Sequence, residues 1–254
     1  GNIVDSSLAS IRLGQVQEAE NQLHQAAETY QGVLPVMDEY SPHNAPLAYL
    51  GLARIHYEWN DLDAAEQYGE KSFQLTRQYD QVVDRLVVSE VFLARLKLAR
   101  RDATGAMDKI LQAEQTSRQK NYTFRLVDIA YARAAIQLSQ GNVDEAAQLV
   151  RQYTMPLMQA RVLIAQGNPS EALSMVEPQR QQAEAKRLPQ RLLLVLAVQS
   201  ITLYANGDKE KAMELLGEVL AMAEPGGYIR LFLDEGALMA QLLLEAASRG
   251  IRPA

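Results

Sequence analysis

Cysteine is absent from the 254-residue sequence, which removes disulfide frameworks and thiolate metal sites and suits a reducing compartment, here the cytoplasm. Histidine is almost as scarce. His24, His43 and His56 are the whole supply, and none has the i, i+4 partner of a helical metal site. His56, beside Tyr57, reads as a packed or groove-lining imidazole rather than a catalyst. No run approaches the ~18 uncharged apolar residues of a membrane span, and the start lacks the basic-then-apolar layout of a signal peptide. Gly1 reads as the remnant of a removed tag. Positive charge is not in excess: the formal net charge of −6 argues against direct binding of nucleic acid, which rests largely on cation–phosphate contacts. No Gly-x-Ser-x-Gly elbow occurs, and Gly226-Gly227 has no Lys-Ser/Thr after it, so it reads as a helix stop and not a phosphate loop. An enzyme is not expected, nor any cofactor or metal. With 48% hydrophobic and 22% charged residues, what remains has the composition of an ordinary soluble folded protein.

What is present is a repeat. A turn residue followed five positions later by alanine occurs six times: Gly14 to Ala19, Asn60 to Ala65, Arg101 to Ala106, Gly141 to Ala146, Gly167 to Ala172 and Gly207 to Ala212. Seven residues before each turn sits a small side chain: Ser7, Ala53, Ala94, Ala134, Ala160 and Ser200. Small residues at a fixed place on both helices of a pair let backbones approach closely and stack on the next pair. The steps between turns are 46, 41, 40, 26 and 40 residues, mostly longer than the ~34 of a tetratricopeptide repeat (TPR). Gly ends a helix in the left-handed region, and Asn60 does so at modest cost, whereas Arg101 is expected to end its helix another way.

Apolar residues within the units follow i, i+3, i+4 spacing, as in Leu86, Val87, Val91, Leu93, Ala94 and Leu98, and no segment alternates in the strand manner. The expected fold is all-α: a right-handed solenoid of antiparallel helix pairs, about six repeats over 1–223, with capping helices over 224–254. The loop from Ser41 to Pro46 accounts for the long first step in this register, and Glu224-Pro225-Gly226-Gly227 ends the last repeat. After it, two shorter helices around Asp234-Glu235-Gly236 are expected to cover the apolar end of the stack. The step of 26 is too short for two full helices. It predicts a discontinuity near Tyr153 to Pro156, as missing residues, the favoured reading, or as two stunted helices.

One constellation has recognition chemistry. Six residues before the turn stand Leu8, Arg54, Arg95, Ala135, Arg161 and Ile201, a position that tends to face the concave groove of such stacks. Arg54 and Arg95 would then be neighbours, with Tyr57, Glu58 and Tyr131 close by, a set able to grip a carboxylate, a phosphate or a sugar ring. The competing reading pairs these arginines with Glu58, Glu66 or Glu90 as staples between repeats, and it is the favoured one.

Three segments carry a family resemblance: Leu52 to Leu62, Ala160 to Gly167 and, most specifically, Ala223 to Gly236. They resemble the MalT-like TPR region of large LuxR-family bacterial regulators, across nearly the whole chain. The resemblance implies a transcriptional activator with an N-terminal nucleotide-binding switch, a helical-repeat sensor and a C-terminal helix-turn-helix domain. Neither a Walker motif nor a DNA-binding helix pair is present, so the chain looks like the sensor segment. Its partners would be a small-molecule inducer or a partner protein, with DNA reached only through a separate domain, no membrane, and self-association compatible. The alternative is a free-standing TPR-like scaffold that binds a peptide.

Overall fold

The computed structural model describes residues 2–79 and 83–250. Fourteen α-helices and two 3-10 turns follow one another, with no strand among the described residues. Six antiparallel pairs come first: α1 (Asn2–Ala19) with α2 (Leu23–Tyr40), α3 (Ala45–Glu58) with α4 (Leu62–Tyr79), α5 (Val83–Ala99) with α6 (Ala103–Gln119), α7 (Leu126–Ser139) with α8 (Val143–Gln152), α9 (Pro156–Ala165) with α10 (Pro169–Ala185), and α11 (Pro189–Ala205) with α12 (Lys209–Ala223). The four-residue α13 (Arg230–Leu233) and α14 (Gly236–Ser248) complete the chain described. Each pair packs on the next, as an all-α helical repeat requires.

The six intra-pair turns share one hydrogen-bond pattern. The left-handed residue donates its N–H three residues back, and the next residue donates five back, as in Asn60 to Tyr57 and Asp61 to His56, or Gly207 to Tyr204 and Asp208 to Leu203. This is the Schellman closure, which satisfies carbonyls that the helix end leaves free. In these six turns the left-handed residues are Asn21, Asn60, Arg101, Gly141, Gly167 and Gly207. Two sequence expectations are corrected here. Arg101 does adopt the left-handed conformation, at φ 64°. Gly14 is not a turn at all: it lies inside α1, and the first turn is Asn21. The first step therefore shortens from 46 to 39, and the Ser41–Pro46 loop no longer has an irregular spacing to explain.

In the corrected register the alanines five residues on are Ala26, Ala65, Ala106, Ala146, Ala172 and Ala212, every one fully buried. The small residues seven before are Gly14, Ala53, Ala94, Ala134, Ala160 and Ser200, again all buried. Gly14 shows why the position must be small. A Cβ there would stand 2.6 Å from the Tyr30 ring, which is wedged between Gly14 on α1 and Gly51 on α3. The interval between Gly141 and Gly167 holds two stunted helices of ten residues each, α8 and α9, joined through Tyr153 in an extended conformation.

The first helices of successive pairs also touch one another, from α1–α3 through α9–α11, which makes them the inner layer and their partners the outer one. That inner row closes on itself, because α1 also packs on α11. One apolar core accordingly joins the first and last pairs, with Ile11, Leu23 and Tyr30 in the same cluster as Leu196, Ile201 and Leu216. α14 lies on α11 and α12, and α13 reaches across to α3.

Candidate functional site

The arginines at the groove-facing position of the inner helices meet carboxylates rather than open space. Arg54, on α3, forms a two-pronged pair with Glu18 on α1, at 3.0 Å from Nε and 2.8 Å from Nη2. Glu18 also accepts from the Tyr30 hydroxyl at 2.5 Å. Burial and the neighbouring Glu18 push the Tyr30 hydroxyl far above its ordinary range, so it stays a donor. This triad joins the first pair to the second.

Arg95, on α5, sits over the face of Tyr57 at 4.2 Å from guanidinium carbon to ring centre. Its Nη2 donates to Glu58 Oε1 at 3.2 Å and to Asp234 Oδ2 at 3.0 Å. The Tyr57 hydroxyl donates to the same Asp234 oxygen at 2.8 Å, and Arg230 holds the other one. Burial alone would lower the pKa of Arg95, but Glu58, Tyr57 and Asp234 more than offset it, so the guanidinium is held charged. Burial raises the pKa of Glu58, and Arg95 only partly counters this.

Arg161, on α9, makes the third cluster. Its Nε donates to Glu235 Oε2 at 2.9 Å, its Nη2 to Oε1 of the same carboxylate, and its Nη1 to the Tyr131 hydroxyl at 2.7 Å. The side chain of Glu235 is 3% exposed and that of Arg161 17%. Asp234 and Glu235 are adjacent, so one acidic corner between α13 and α14 joins the second and third clusters across the inner face.

Of the residues singled out in the sequence, the structure brings together Arg95, Tyr57 and Glu58. It places Arg54 with Glu18 and Tyr30, and Tyr131 with Arg161. The staple reading named the right kind of partner but only one right residue, Glu58; Glu66 pairs with Arg100 instead. Asp234 and Glu235 were missed as partners. Their only signal was charge in a segment read as an end cover, and nothing local places that segment against α3, α5 and α9. His56 is packed, as expected, with its ring edge on Trp59 at 5.3 Å and Nδ1 3.1 Å from Asp61.

A second feature lies where the first turn meets the end of α12. A cleft of about 360 Å³ is lined by Glu20, Asn21, Gln22, His24, Gln25, Met222 and Pro225. His24 stacks on Trp59 beside it at 4.8 Å, and the Trp59 Nε1–H donates to the carbonyl of Gly226 at 2.8 Å. No group of acidic, histidine or cysteine side chains among the described residues is arranged to hold a metal ion, and no described helix is long and apolar enough to cross a membrane.

A closed row of helix pairs with charged and aromatic side chains on its inner face defines an all-α helical-repeat module. The MalT-like TPR region matches residues 1–249, and the chain belongs to that family. Among curated proteins, the HTH-type transcriptional regulator MalT of Yersinia enterocolitica is 25% identical over 251 residues, covering 92% of this chain and 28% of that protein. The regulators of the same name from Vibrio cholerae and Yersinia pestis are each 25% identical, over 95% and 92% of this chain and 28% of their own lengths. The chain thus spans little more than a quarter of the length of these relatives, each of them named as a transcriptional regulator.

Proposed function

We propose that this chain is the sensor and protein-interaction arm of a LuxR-type, MalT-like transcriptional activator in the bacterial cytoplasm. In this reading it binds an inducer or partner protein and controls a switch located outside the segment, with DNA contacted through a separate helix-turn-helix domain and no reaction catalysed by the arm itself. Residues 1–223 carry the recognition repeats, and 224–254 form the segment that covers them. The observation that carries the reading is the chain-long match to the MalT-like TPR region. The geometry adds a reason for recognition: Arg54, Arg95, Tyr57, Glu58 and Tyr131 stand on or at the ends of rigid inner helices, where planar guanidinium groups bind anionic oxygens with defined orientation.

A thermal-shift screen of candidate inducers and partner peptides tests it, since a ligand at 100 times its Kd adds about 2.7 kcal/mol of stability. Arg54→Ala and Arg95→Ala should then weaken the ligand found. If both variants melt earlier yet bind it with unchanged affinity, those arginines are staples and the ligand site lies elsewhere on the arm.

A further inference from the structure

We propose that the Arg95–Arg161 face is a binding site for an acidic segment of a partner protein, and that the chain's own Asp234–Glu235 corner is its resting occupant. This rests on the reading of the inner face as a recognition surface and names the chemistry it takes.

The corner is held as a ligand is held. Tyr57, Arg95 and Arg161, from three different inner helices, donate to two adjacent carboxylates, and Tyr131 on a fourth inner helix accepts from Arg161. Arg161 depends on it most. Besides Glu235, its acceptors are a tyrosine hydroxyl and the Leu157 carbonyl, so the emptied site would leave a largely buried guanidinium without an anion. Such a site is costly when vacant, because the buried charge is left uncompensated, and it favours exchange of one carboxylate for another.

The occupant is read as polypeptide and not as a free ion. The N–H of Ile229 donates to the carbonyl of Glu58 at 2.7 Å, and Trp59 Nε1–H reaches the carbonyl of Gly226. Left-handed glycines flank the segment, Gly227 at φ 69° and Gly236 at φ 73°, and give it a turn at each end, while Met239, Leu242 and Ala246 hold α14 in the core that also takes Leu231 and Phe232. Its fit is incomplete, because Glu58 Oε2 and Arg230 Nε are buried with no hydrogen-bond partner. Leu231 and Phe232 are buried beneath it, so a competitor needs an apolar pair, one spacer residue and then two acids.

The probe is a fluorescent peptide with the sequence of residues 228–238. It should bind the Asp234→Asn, Glu235→Gln chain at least tenfold more tightly than the unaltered chain. Adding Arg95→Ala and Arg161→Ala should abolish that binding, and a peptide with its two acids neutralised should not bind. The proposal falls if the corner variant keeps the wild-type circular dichroism and cooperative melt yet fails to bind, or binds both peptides equally. Should the corner variant not fold, excess acidic peptide on the unaltered chain must speed hydrogen exchange at the amides of 229–234, and unchanged exchange there overturns the proposal. A ligand found by thermal shift alongside a silent peptide would retire this inference and leave the sensor reading standing.

Discussion

Arg161 and Glu235 form the most enclosed ion pair on the inner face, with side chains 17% and 3% exposed. Removing one partner of a buried pair strands the other charge, so Arg161→Ala should cost about 3–5 kcal/mol in urea denaturation. Replacing both by apolar residues of similar volume should cost far less, and a double-mutant cycle separates the two cases. A loss below about 1 kcal/mol for the single variant would mean that solvent screens the pair as it does at a surface. Glu90 gives the residue-scale pH response. It is buried on α5, one carboxylate oxygen has no hydrogen-bond partner, and burial raises its pKa to about 7 against the partial relief of Lys109 on α6 and Arg77 on α4. A raised carboxylate pKa means the folded chain keeps a proton that the unfolded chain has released. Stability is therefore fullest below the unfolded value of about 4.5, and is lost as pH rises to about 7. Glu90→Gln should flatten that slope and, after screening, gain about 1–2 kcal/mol at pH 8 by chemical denaturation. An unchanged slope would show that Glu90 titrates as an ordinary surface acid.

Arg101 is the exception among the six intra-pair turns, a side chain without the glycine or asparagine tolerance of the left-handed region. Arg101→Gly should raise stability by about 1 kcal/mol, less whatever entropy glycine adds to the unfolded chain. Thermal melting checks it, and a fall in Tm would mean that the arginine has a compensating contact. The same element shows how the sequence reading went astray at the first repeat. Gly14 with Ala19 and Ser7 satisfies the pattern, but so does Asn21 with Ala26 and Gly14. The two frames differ by seven residues, nearly two helical turns, so each maps the same helix face onto itself. Only the chain geometry breaks that degeneracy: α1 continues to Ala19 and closes at Asn21. The paired register of small residues was otherwise readable because close helix packing acts through neighbours in sequence. The short step was readable as an irregularity, but spacing alone favoured missing residues over the two ten-residue helices that the chain forms there, α8 and α9.

Across the whole molecule the decisive contact is α1 against α11, which turns a row of pairs into a closed one. In an open solenoid the terminal repeats have one neighbour and fray first. Here α1 and α2 share a core with α11, α12 and α14, through Ile11, Met37, Leu196, Met213 and Met239. Amides of α1 and α2 buried in that core should exchange hydrogen about as slowly as those of α5 and α6, and Ile11→Ala should loosen α11 as well as α1. Fast exchange confined to α1 and α2 would show that the ring opens. The sequence by itself determined that the chain is helical and, from the second repeat onward, how the helices pair, because each follows from periodicity and turn chemistry within about 40 residues. The family was readable for the same reason, as short motifs along one chain. What only the tertiary structure decided is that Asp234 and Glu235 occupy the inner face and that the row closes. Small per-repeat rotations accumulate over six pairs to bring residues 139 positions apart, Arg95 and Asp234, into contact, and no local pattern encodes that sum.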